Sequence, residues 1–527
     1  MKHKTKRIVP IVLALATMAA TFVGCDGKAN KCPVSLPDYS STNYEFTLAS
    51  SEPPAGWVKQ NKVEYPIGDG RSYHTYEGFK QWRDLGLNTI TIGHVYQTGI
   101  SKDENWEGSE FKAICETAYS AGIKKMYLND GGLRQFDQMS GVLVDPEVGV
   151  FKTDDELDAY VESRLAQYIH EPYVVGVQLA DEPGYTEAPN LSALCRSVRR
   201  VATKLGYPEF EAFVNVYQVR ADATYMPFGE PGSWTDVRQL YRDYLKMFFV
   251  DGNCTKICAD DYPYHPNGMN KGFYASLQEV RRMADEYDME MAYYATSFSE
   301  LRFGGREHFF RAISQPELYH NFNSLLAFGV THIEYFAYAP YPSGYNTGEH
   351  LKTWYDISVF VDRENRPTDL YYYGQQMFRE YQGEFSNVYM NYDYQGTRFY
   401  FGDVPALGGI NNYLGNAPDT STGTVMDFVN TYNPGMIKSV EVDNELALIA
   451  EFKDKKNNLT MFEVMNPQDP YYSEYGRTDT KISLDFGSEY EWVAEYNRGK
   501  LTYVKLENGK YTKTLSAGYA TYIIPLK

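Results

Sequence analysis

The chain has 527 residues, 69 acidic and 50 basic side chains, a formal net charge of −19 and a pI near 5.0. Its length predicts two or three domains rather than one core. The acidic balance excludes nucleic acid and anionic membrane surfaces as charge-selected partners, because both select basic surfaces, and it favours a neutral substrate. Aromatic side chains make up 16% of the residues, which suits stacking on sugars but equally suits tyrosine-rich cores.

The N-terminus is basic and then apolar over residues 8–23, a run too short and too close to the start for a comfortable membrane span. Residues 1–24 are therefore predicted to be a signal peptide. The end of this segment, Phe22-Val23-Gly24-Cys25, resembles a bacterial lipobox, with Phe22 where leucine is usual. The resemblance implies acylation of Cys25 and a lipid-anchored protein in the cell envelope, on the periplasmic side or the cell surface. Ordinary secretion with Cys25 in a disulfide is the alternative.

Residues 25–60 are polar and contain several prolines, which predicts a tether followed by an irregular segment. Residues 61–392 then alternate helical patterns with short apolar runs. Thr153 and Glu156 have the spacing of a capping box, and the helical period after them leads into the strand "VVGVQLADE". With a first strand near "VEYPIGDG", eight such units predict a (β/α)8 barrel, and a doubly wound open sheet is the alternative.

Residues 393–527 change to short alternating runs, such as "TRFYFGDV", "LTMFEVMNP" and "YATYIIPL", separated by glycine, asparagine and Asp-Lys pairs. This pattern is typical of an antiparallel β-sandwich. The predicted fold is therefore α/β, a (β/α)8 TIM barrel followed by a smaller all-β sandwich domain.

Period-two alternation selects the strand residues that point into the barrel, whose active sites lie at the carboxyl ends of the strands. Alternation turns Asp181 outward on the fourth strand. Asp260 and Tyr262 share a face of the sixth strand that the pattern leaves unassigned. The polar side chains predicted to point inward near strand ends are Asn129, Glu182, Asn215, Glu334 and Tyr338.

Three motifs resemble those of clan A glycoside hydrolases, the cellulase-like and β-galactosidase-like (β/α)8 enzymes. Asp181-Glu182-Pro183 resembles their fourth-strand Asn-Glu-Pro, and "CADDYPY" resembles their sixth-strand Asp-x-Tyr-Pro. "LLAFGVTHIEYFAYAP" resembles the eighth strand of the β-galactosidase-like members. The resemblance implies that Glu182 is the general acid/base. Two departures remain: Asp181 replaces the asparagine that binds a sugar hydroxyl, and the seventh strand, "MAYYATSFSE", has no clear glutamate at the nucleophile's position.

Glycoside cleavage needs a second carboxyl group, about 5–5.5 Å from the first for retention or about 6.5–9.5 Å for inversion. Glu334 ranks first because it points inward, Glu300 is the alternative from the seventh strand, and Asp260 comes third. Each has a structural alternative; Glu334, for instance, could pair with Lys125 or His332. The residues predicted to bind substrate are Asn129, Asp181, Asn215, Asp260, Tyr262 and Tyr338.

The remaining motifs predict no cofactor and no metal. Cys254 and Cys258 lie about 13 Å apart if both are in a strand, too far for a disulfide or a shared zinc, so we expect buried thiols. The sequence carries no serine-nucleophile elbow and no zinc motif. The leading hypothesis is a glycoside hydrolase that cleaves an extracellular oligo- or polysaccharide. A non-catalytic surface glycan-binding protein on the same barrel is the alternative.

Overall fold

The computed structural model describes residues 33–51, 54, 57–60, 63–66, 72–92, 99–137, 139, 141–219, 234–266, 268–269, 273–301, 308–340, 359–362, 364–402, 432–443, 446–471 and 479–527. The chain divides into two compact units, Met1–Ser35 and Leu36–Lys527. Only residues 33–35 of the first unit are described, so the account that follows concerns the second unit.

The strands before residue 340 are β1 (Thr47–Ser51), β2 (Trp57–Gln60), β3 (Val63–Pro66), β4 (Thr89–Ile92), β5 (Lys125–Asn129), β6 (Val174–Asp181), β7 (Glu211–Val216), β8 (Lys256–Asp260), β9 (Tyr264–His265), β10 (Gly268–Met269), β11 (Glu290–Thr296), β12 (Glu300–Leu301), β13 (His308–Phe310) and β14 (His332–Phe336). Eight of them close a parallel barrel in the order β1-β4-β5-β6-β7-β8-β11-β14. The predicted (β/α)8 class is therefore confirmed.

The helices are α1 (Tyr76–Leu85), α2 (Glu110–Ser120), α3 (Gly131–Arg134), α4 (Asp154–Leu165), α5 (Ala188–Lys204), α6 (Trp234–Leu245), α7 (Phe273–Tyr287), α8 (Gln315–Leu326), α9 (Asp369–Tyr381) and α10 (Glu384–Tyr389). A π-helical turn, Lys246–Val250, continues α6. At the start of α4, the Thr153 side chain accepts from Glu156 N, as the predicted capping box requires. The Glu156 carboxylate accepts from Lys152 N at 2.6 Å.

The first barrel strand differs from the prediction. It is Thr47–Ser51, within the segment expected to be irregular, and it pairs with β14 and β4. The run near "VEYPIGDG" instead contains β3, which pairs with β2 in a two-stranded hairpin. The sequence "TLASS" has one large apolar side chain and two serines, so its alternation is too weak to indicate a strand.

The C-terminal strands are β15 (Tyr392–Phe401), β16 (Ser439–Val442), β17 (Leu446–Asp454), β18 (Thr460–Met465), β19 (Asp479–Asp485), β20 (Trp492–Asn497), β21 (Lys500–Lys505), β22 (Lys510–Ser516) and β23 (Ala520–Leu526). They form a six-stranded antiparallel sheet, β15-β17-β18-β23-β20-β21, and a three-stranded one, β16-β19-β22. Side chains from both sheets, such as Ile449, Val464, Leu484 and Leu515, share one apolar core. An all-β region thus follows the barrel, and its first strand begins next to the predicted boundary at 393.

The barrel and the all-β region are joined by a buried arginine. Arg311 donates from Nε to Glu317 Oε1 at 2.7 Å and from Nη2 to Asp469 Oδ1 at 2.6 Å. Glu317 belongs to α8 of the barrel, and Asp469 follows β18. Because all three side chains are buried, this cluster is a fixed connection rather than a surface contact.

Four cysteines of the described part of the chain, Cys115, Cys195, Cys254 and Cys258, are free buried thiols, which confirms the expectation for Cys254 and Cys258. Over the described residues, every helix is too short or too polar to cross a membrane.

Candidate active site

The carboxyl ends of three neighbouring barrel strands bring together Asp181 of β6, Asn215 of β7 and Asp260 of β8. The Asn215 amide donates from Nδ2 to Asp181 Oδ1 at 3.1 Å and to Asp260 Oδ2 at 3.2 Å. Asn215 and Asp260 are almost completely buried. A single amide therefore connects two carboxylates at the end of the barrel where active sites of this architecture lie.

The inward position of Asp181 corrects the sequence prediction, which turned it outward. In the pairing of β6 with β7, Gln178 lies opposite Phe213 but Ala180 lies opposite Val214, so Leu179 is an extra residue. Such a bulge shifts the side-chain alternation by one position beyond it. Asp181 consequently pairs with Asn215 and shares its face.

Glu182 follows directly and has a left-handed backbone conformation, with φ of 49°. Its backbone N–H donates to Asn215 O at 2.8 Å, which fixes the chain at the end of β6. A non-glycine residue at positive φ is uncommon and often marks a functional position.

The Glu182 carboxyl group is buried next to that of Asp260, whose charge and hydrogen-bonding contact both act on the pKa of Glu182. Burial in the mouth raises the pKa of Glu182 well above its ordinary value, and the negative charges of Asp260 and Asp181 raise it further. Because two carboxylates in contact cannot both be ionised at low cost, the raised pKa of Glu182 favours its protonated form beside Asp260. We call Glu182 and Asp260 the carboxyl pair.

A further carboxylate, Asp137, extends this acidic cluster. Burial raises the pKa of Asp137 to about 6; the neighbouring Arg134 lowers it and the charge of Asp181 raises it. Arg134 Nη2 lies 3.1 Å from Asp137 Oδ2. Sequence reasoning missed both residues, because they lie in α3 and the turn after it, where no strand alternation indicates a direction.

Glu334 points into the barrel, as predicted, and is completely buried. Its Oε1 accepts from Thr91 Oγ1 at 2.7 Å and lies 2.9 Å from His332 Nε2. Burial lowers the pKa of His332 well below its ordinary value, which favours a neutral ring in this contact. His332 in turn stacks on Tyr127 and Phe213, with ring centroids 5.6 and 5.7 Å apart. The carboxyl group next to Glu182 is therefore that of Asp260, which ranked third as the second carboxyl group. Glu334 instead forms hydrogen bonds with Thr91 and His332.

Tyr262 lies beside the carboxyl pair, and the charges of Asp260 and Glu182 contribute, after burial, to raising its pKa well above the ordinary value. Its ring packs against Phe298, Phe310 and Phe336, with centroid distances of 4.9, 5.7 and 6.0 Å. These four rings form one wall of aromatic side chains next to the acidic cluster. We call it the aromatic wall.

Tyr338 does not belong to the site, contrary to the prediction. Its ring packs on Trp82 of α1, with centroids 4.6 Å apart, and on Phe360. The reason is that β14 ends at Phe336, so the strand alternation no longer applies two residues later, and Ala337 takes the inward position. Tyr338 is therefore a packing residue between the barrel and its outer helices.

The remaining predicted residues are Asn129, Glu300 and Cys25. Asn129 ends β5 and is partly exposed, opposite Gln178 of β6. The backbone of Glu300 pairs with Phe310 in the β12–β13 hairpin, and its side chain lies outside the described residues. Cys25, the predicted acylation site, also lies outside them. The part of the chain that the structure describes contains no cluster of three or more His, Cys, Asp or Glu side chains arranged to hold a metal ion.

Comparison with known proteins assigns no family. No family model matches the chain, and no curated protein matches it. Among solved structures, the chain is similar to a family 39 glycoside hydrolase from the gut symbiont Bacteroides cellulosilyticus, at 11% identity and a TM-score of 0.45 over 91% of this chain and 81% of that one. It is also similar to a family 5 glycoside hydrolase from Bacteroides vulgatus, at 12% identity and a TM-score of 0.45 over 92% and 89%. A third is a GH30 endoxylanase from Clostridium papyrosolvens, at 10% identity and a TM-score of 0.40 over 92% and 97%.

Similarity at these levels is too low to transfer an activity. The assignment of the barrel rests on its own strand order, and the chemistry rests on the residues at its mouth.

Proposed function

We propose that this protein is a glycoside hydrolase that cleaves a glycosidic bond of an oligo- or polysaccharide with the carboxyl pair, Glu182 and Asp260. The observation that carries the proposal is the burial of Glu182 next to Asp260 and Asp181 at the carboxyl end of the barrel, where Asn215 donates to both aspartates. Carboxyl-catalysed glycoside cleavage needs one group that keeps a proton near neutral pH and one that is ionised. A pair that holds a single proton supplies both.

In the proposed reaction, Glu182 donates its proton to the glycosidic oxygen as the bond from that oxygen to the anomeric carbon breaks. The hydrogen bond from Asn215 Nδ2 favours the ionised form of Asp260, which in this proposal faces the positive charge that develops on the sugar. Asp260 then either bonds to the anomeric carbon, forming a glycosyl-enzyme that water hydrolyses with the deprotonated Glu182 as base, or takes a proton from a water that attacks the anomeric carbon. The anomer of the product distinguishes these two routes.

The proposal requires the carboxyl pair to separate when substrate binds. Hydrogen-bond contact is closer than the spacing of about 5–5.5 Å that retention needs or about 6.5–9.5 Å that inversion needs. A glycosidic oxygen that enters between the two groups replaces their mutual hydrogen bond, so the proton of Glu182 is already directed at its acceptor. Asp260 remains in place through Asn215.

The walls of the site support a carbohydrate substrate. The aromatic wall around Tyr262 offers an apolar face for a sugar ring, and the opposite side offers hydrogen-bonding groups. Asn129, Asp181 and Asn215 are the proposed partners of sugar hydroxyls. A carbohydrate that is uncharged at the cleaved bond suits this acidic mouth, because a carboxylate on the substrate would be repelled there by Asp137, Asp181 and Asp260.

One observation favours a second function, non-catalytic binding of a surface glycan. On the seventh barrel strand, β11, Ala292 and Tyr294 point inward. Residues 291–298, which cover the rest of that strand and the two residues after it, contain no Asp or Glu. The clan A enzymes that the motifs resemble carry a nucleophile there. If Asp260 does not replace that group, the same mouth binds sugars without cleaving them.

The proposed location is the bacterial cell envelope, with the protein anchored through a lipid on Cys25. Its support is the lipobox-like sequence after an apolar segment. More than one acyl chain on Cys25 provides a stable anchor. Growth of cells with labelled fatty acid tests this: wild-type protein is expected to carry the label, and Cys25→Ser is expected to lose it. Labelled Cys25→Ser would contradict acylation at this residue.

The function is tested with aryl glycosides and natural oligosaccharides that cover the common sugars and both anomeric configurations. Wild type is expected to release product from at least one of them. Glu182→Gln is expected to fold normally and lose about 10²–10⁴-fold in turnover, the usual contribution of a general acid. Glu209→Gln, an exposed carboxylate between α5 and β7, is the matched control and keeps full activity. Binding of glycans without turnover of any of them would favour the non-catalytic alternative.

A further inference from the structure

A second cleft lies between helix α9 of the barrel and the hairpin of strands β20 and β21 in the all-β region. Its volume is about 690 Å³. This is within the range of about 300–1,000 Å³ that small-molecule sites occupy. Its lining includes Tyr372, Gln376 and Arg379 of α9 together with Lys500 of the hairpin. We call it the α9 cleft.

The floor of the α9 cleft is a rigid ion pair. Arg498 donates to Glu380 from Nε at 2.9 Å and from Nη2 at 2.7 Å, a fork that fixes both side chains. The Tyr319 hydroxyl donates to the same carboxylate at 2.6 Å. The Arg498 guanidinium lies over the Tyr319 ring, 5.2 Å from the ring centroid. The hairpin tip is therefore held firmly against α9.

The backbone of the tip is adapted to this contact. Arg498 and Gly499 both have positive φ, 49° and 70°, as a two-residue type I′ hairpin turn requires. A Cβ at Gly499 would lie 1.6 Å from the carbonyl oxygen of Glu380, so only glycine allows the turn to approach α9 this closely. Arginine is an unusual residue at positive φ, and its fork to Glu380 accounts for its presence.

The rim of the cleft carries exposed charged and aromatic side chains. Arg379 and Lys500 are exposed, and neither has a hydrogen-bond or ion-pair partner among the described residues. The ring of Tyr372 is 57% exposed. The lining holds three cations against two carboxylates, Glu380 and Glu384, in a chain whose net charge is −19. Two exposed cations and an exposed ring in the lining of one cleft favour a ligand with a negative charge and a flat apolar face.

We propose that the α9 cleft is a second carbohydrate-binding site, separate from the carboxyl pair, that takes an acidic oligosaccharide with uronic acid units. A sugar ring stacks on Tyr372, and its carboxylate lies between Arg379 and Lys500. That the ligand is a carbohydrate rests on the proposed function; that it is anionic and carries a flat face rests on the cleft itself. The site holds a charged polysaccharide chain, while the acidic mouth of the barrel acts on a neutral part of it.

The test is isothermal titration calorimetry of the mature chain with a galacturonic acid hexamer, a neutral glucose hexamer and inorganic phosphate. Wild type is expected to bind the acidic hexamer and to bind the neutral one at least about tenfold more weakly. The double variant Arg379→Ala/Lys500→Ala and the variant Tyr372→Ala are each expected to lose at least about tenfold in affinity for the acidic hexamer. Lys456→Ala, an exposed lysine outside the cleft, is the matched control and binds normally.

Three results would overturn the inference: equal binding of both hexamers, phosphate binding as tight as that of the acidic hexamer, or unchanged affinity in the cleft variants. A parallel measurement keeps this separate from the proposed function. The cleft variants are expected to retain wild-type turnover of a small aryl glycoside, and Glu182→Gln is expected to retain binding in the α9 cleft. Failure of turnover with intact cleft binding would count against the hydrolase alone.

Discussion

Replacing Asn215 with leucine tests how the Asn215 amide sets the ionisation of the carboxyl pair. Leucine has the same branching at Cγ as asparagine but no donor, so the variant removes the hydrogen bonds of 3.1 and 3.2 Å to Asp181 and Asp260. A hydrogen bond to a charged group contributes about 1.5–3 kcal/mol. Losing the one to Asp260 destabilises the singly ionised form of the pair relative to the fully protonated form.

At about 1.36 kcal/mol per unit, this loss shifts the acid limb of the activity profile upward by about one to two pH units. The shift belongs to the pair as a whole, because its two groups titrate together. The assay is kcat/KM against pH for Asn215→Leu and wild type. Ser276→Ala is the matched control, since it removes a donor 2.8 Å from the neighbouring Asp261 and should leave the limb in place. An unchanged acid limb in an active Asn215→Leu enzyme would refute this account of the pair.

Three further predictions concern the free energy of unfolding, measured in urea. Asp130→Ala leaves the buried Arg164 guanidinium, now 2.8 Å from Asp130, without its carboxylate and costs about 3–5 kcal/mol. Glu182→Gln is expected to be more stable than wild type at about pH 8 and to lose this advantage near pH 4. The pKa of Glu182 is about 4.3 in the unfolded chain and is raised in the folded one. As the pH rises above about 4.3, ionisation of Glu182 therefore lowers the stability of wild type, and glutamine avoids this cost. Arg311→Met leaves Asp469 buried without its cation and costs about 3–5 kcal/mol.

An exposed ion pair provides the control for these measurements. Asp154 lies 3.7 Å from Arg200, and its side chain is 64% exposed. Asp154→Asn is therefore expected to change stability by no more than about 0.5 kcal/mol. If Asp130→Ala or Arg311→Met costs no more than this control, the buried pairs do not stabilise the fold as described. A Glu182→Gln variant that is less stable than wild type at about pH 8 would contradict the unfavourable ionisation of Glu182.

The barrel could be predicted because seven of its strands are apolar runs preceded by helical patterns. "VVGVQLADE" and "THIEYFAYAP" are buried on both faces, which the sequence shows as continuous apolar character. The first strand, Thr47–Ser51, was predicted in the wrong place because its five residues follow no clear period. Its place in the barrel depends on pairing with β4 and β14, which are distant in sequence.

The site could be predicted only in part, for two physical reasons. Alternation assigns a face only within an unbroken strand. The bulge at Leu179 therefore made the predicted direction of Asp181 wrong, and the end of β14 at Phe336 made that of Tyr338 wrong. Neither break has a glycine or proline to indicate it. The neighbour of Glu182 depends on the stagger of the barrel strands, which one sequence does not contain; Asp260 therefore ranked below Glu334.

The most direct test of the carboxyl pair is a double-mutant comparison of kcat/KM with Glu182→Gln, Asp260→Asn and the variant that carries both, on whichever glycoside wild type hydrolyses. Groups that act as a unit are strongly non-additive. We therefore expect each single variant to lose at least about 10²-fold and the double variant to be little slower than the slower single one. An Asp260→Asn variant with wild-type kcat/KM, or losses that simply multiply in the double variant, would contradict the claim that Glu182 and Asp260 act as a pair.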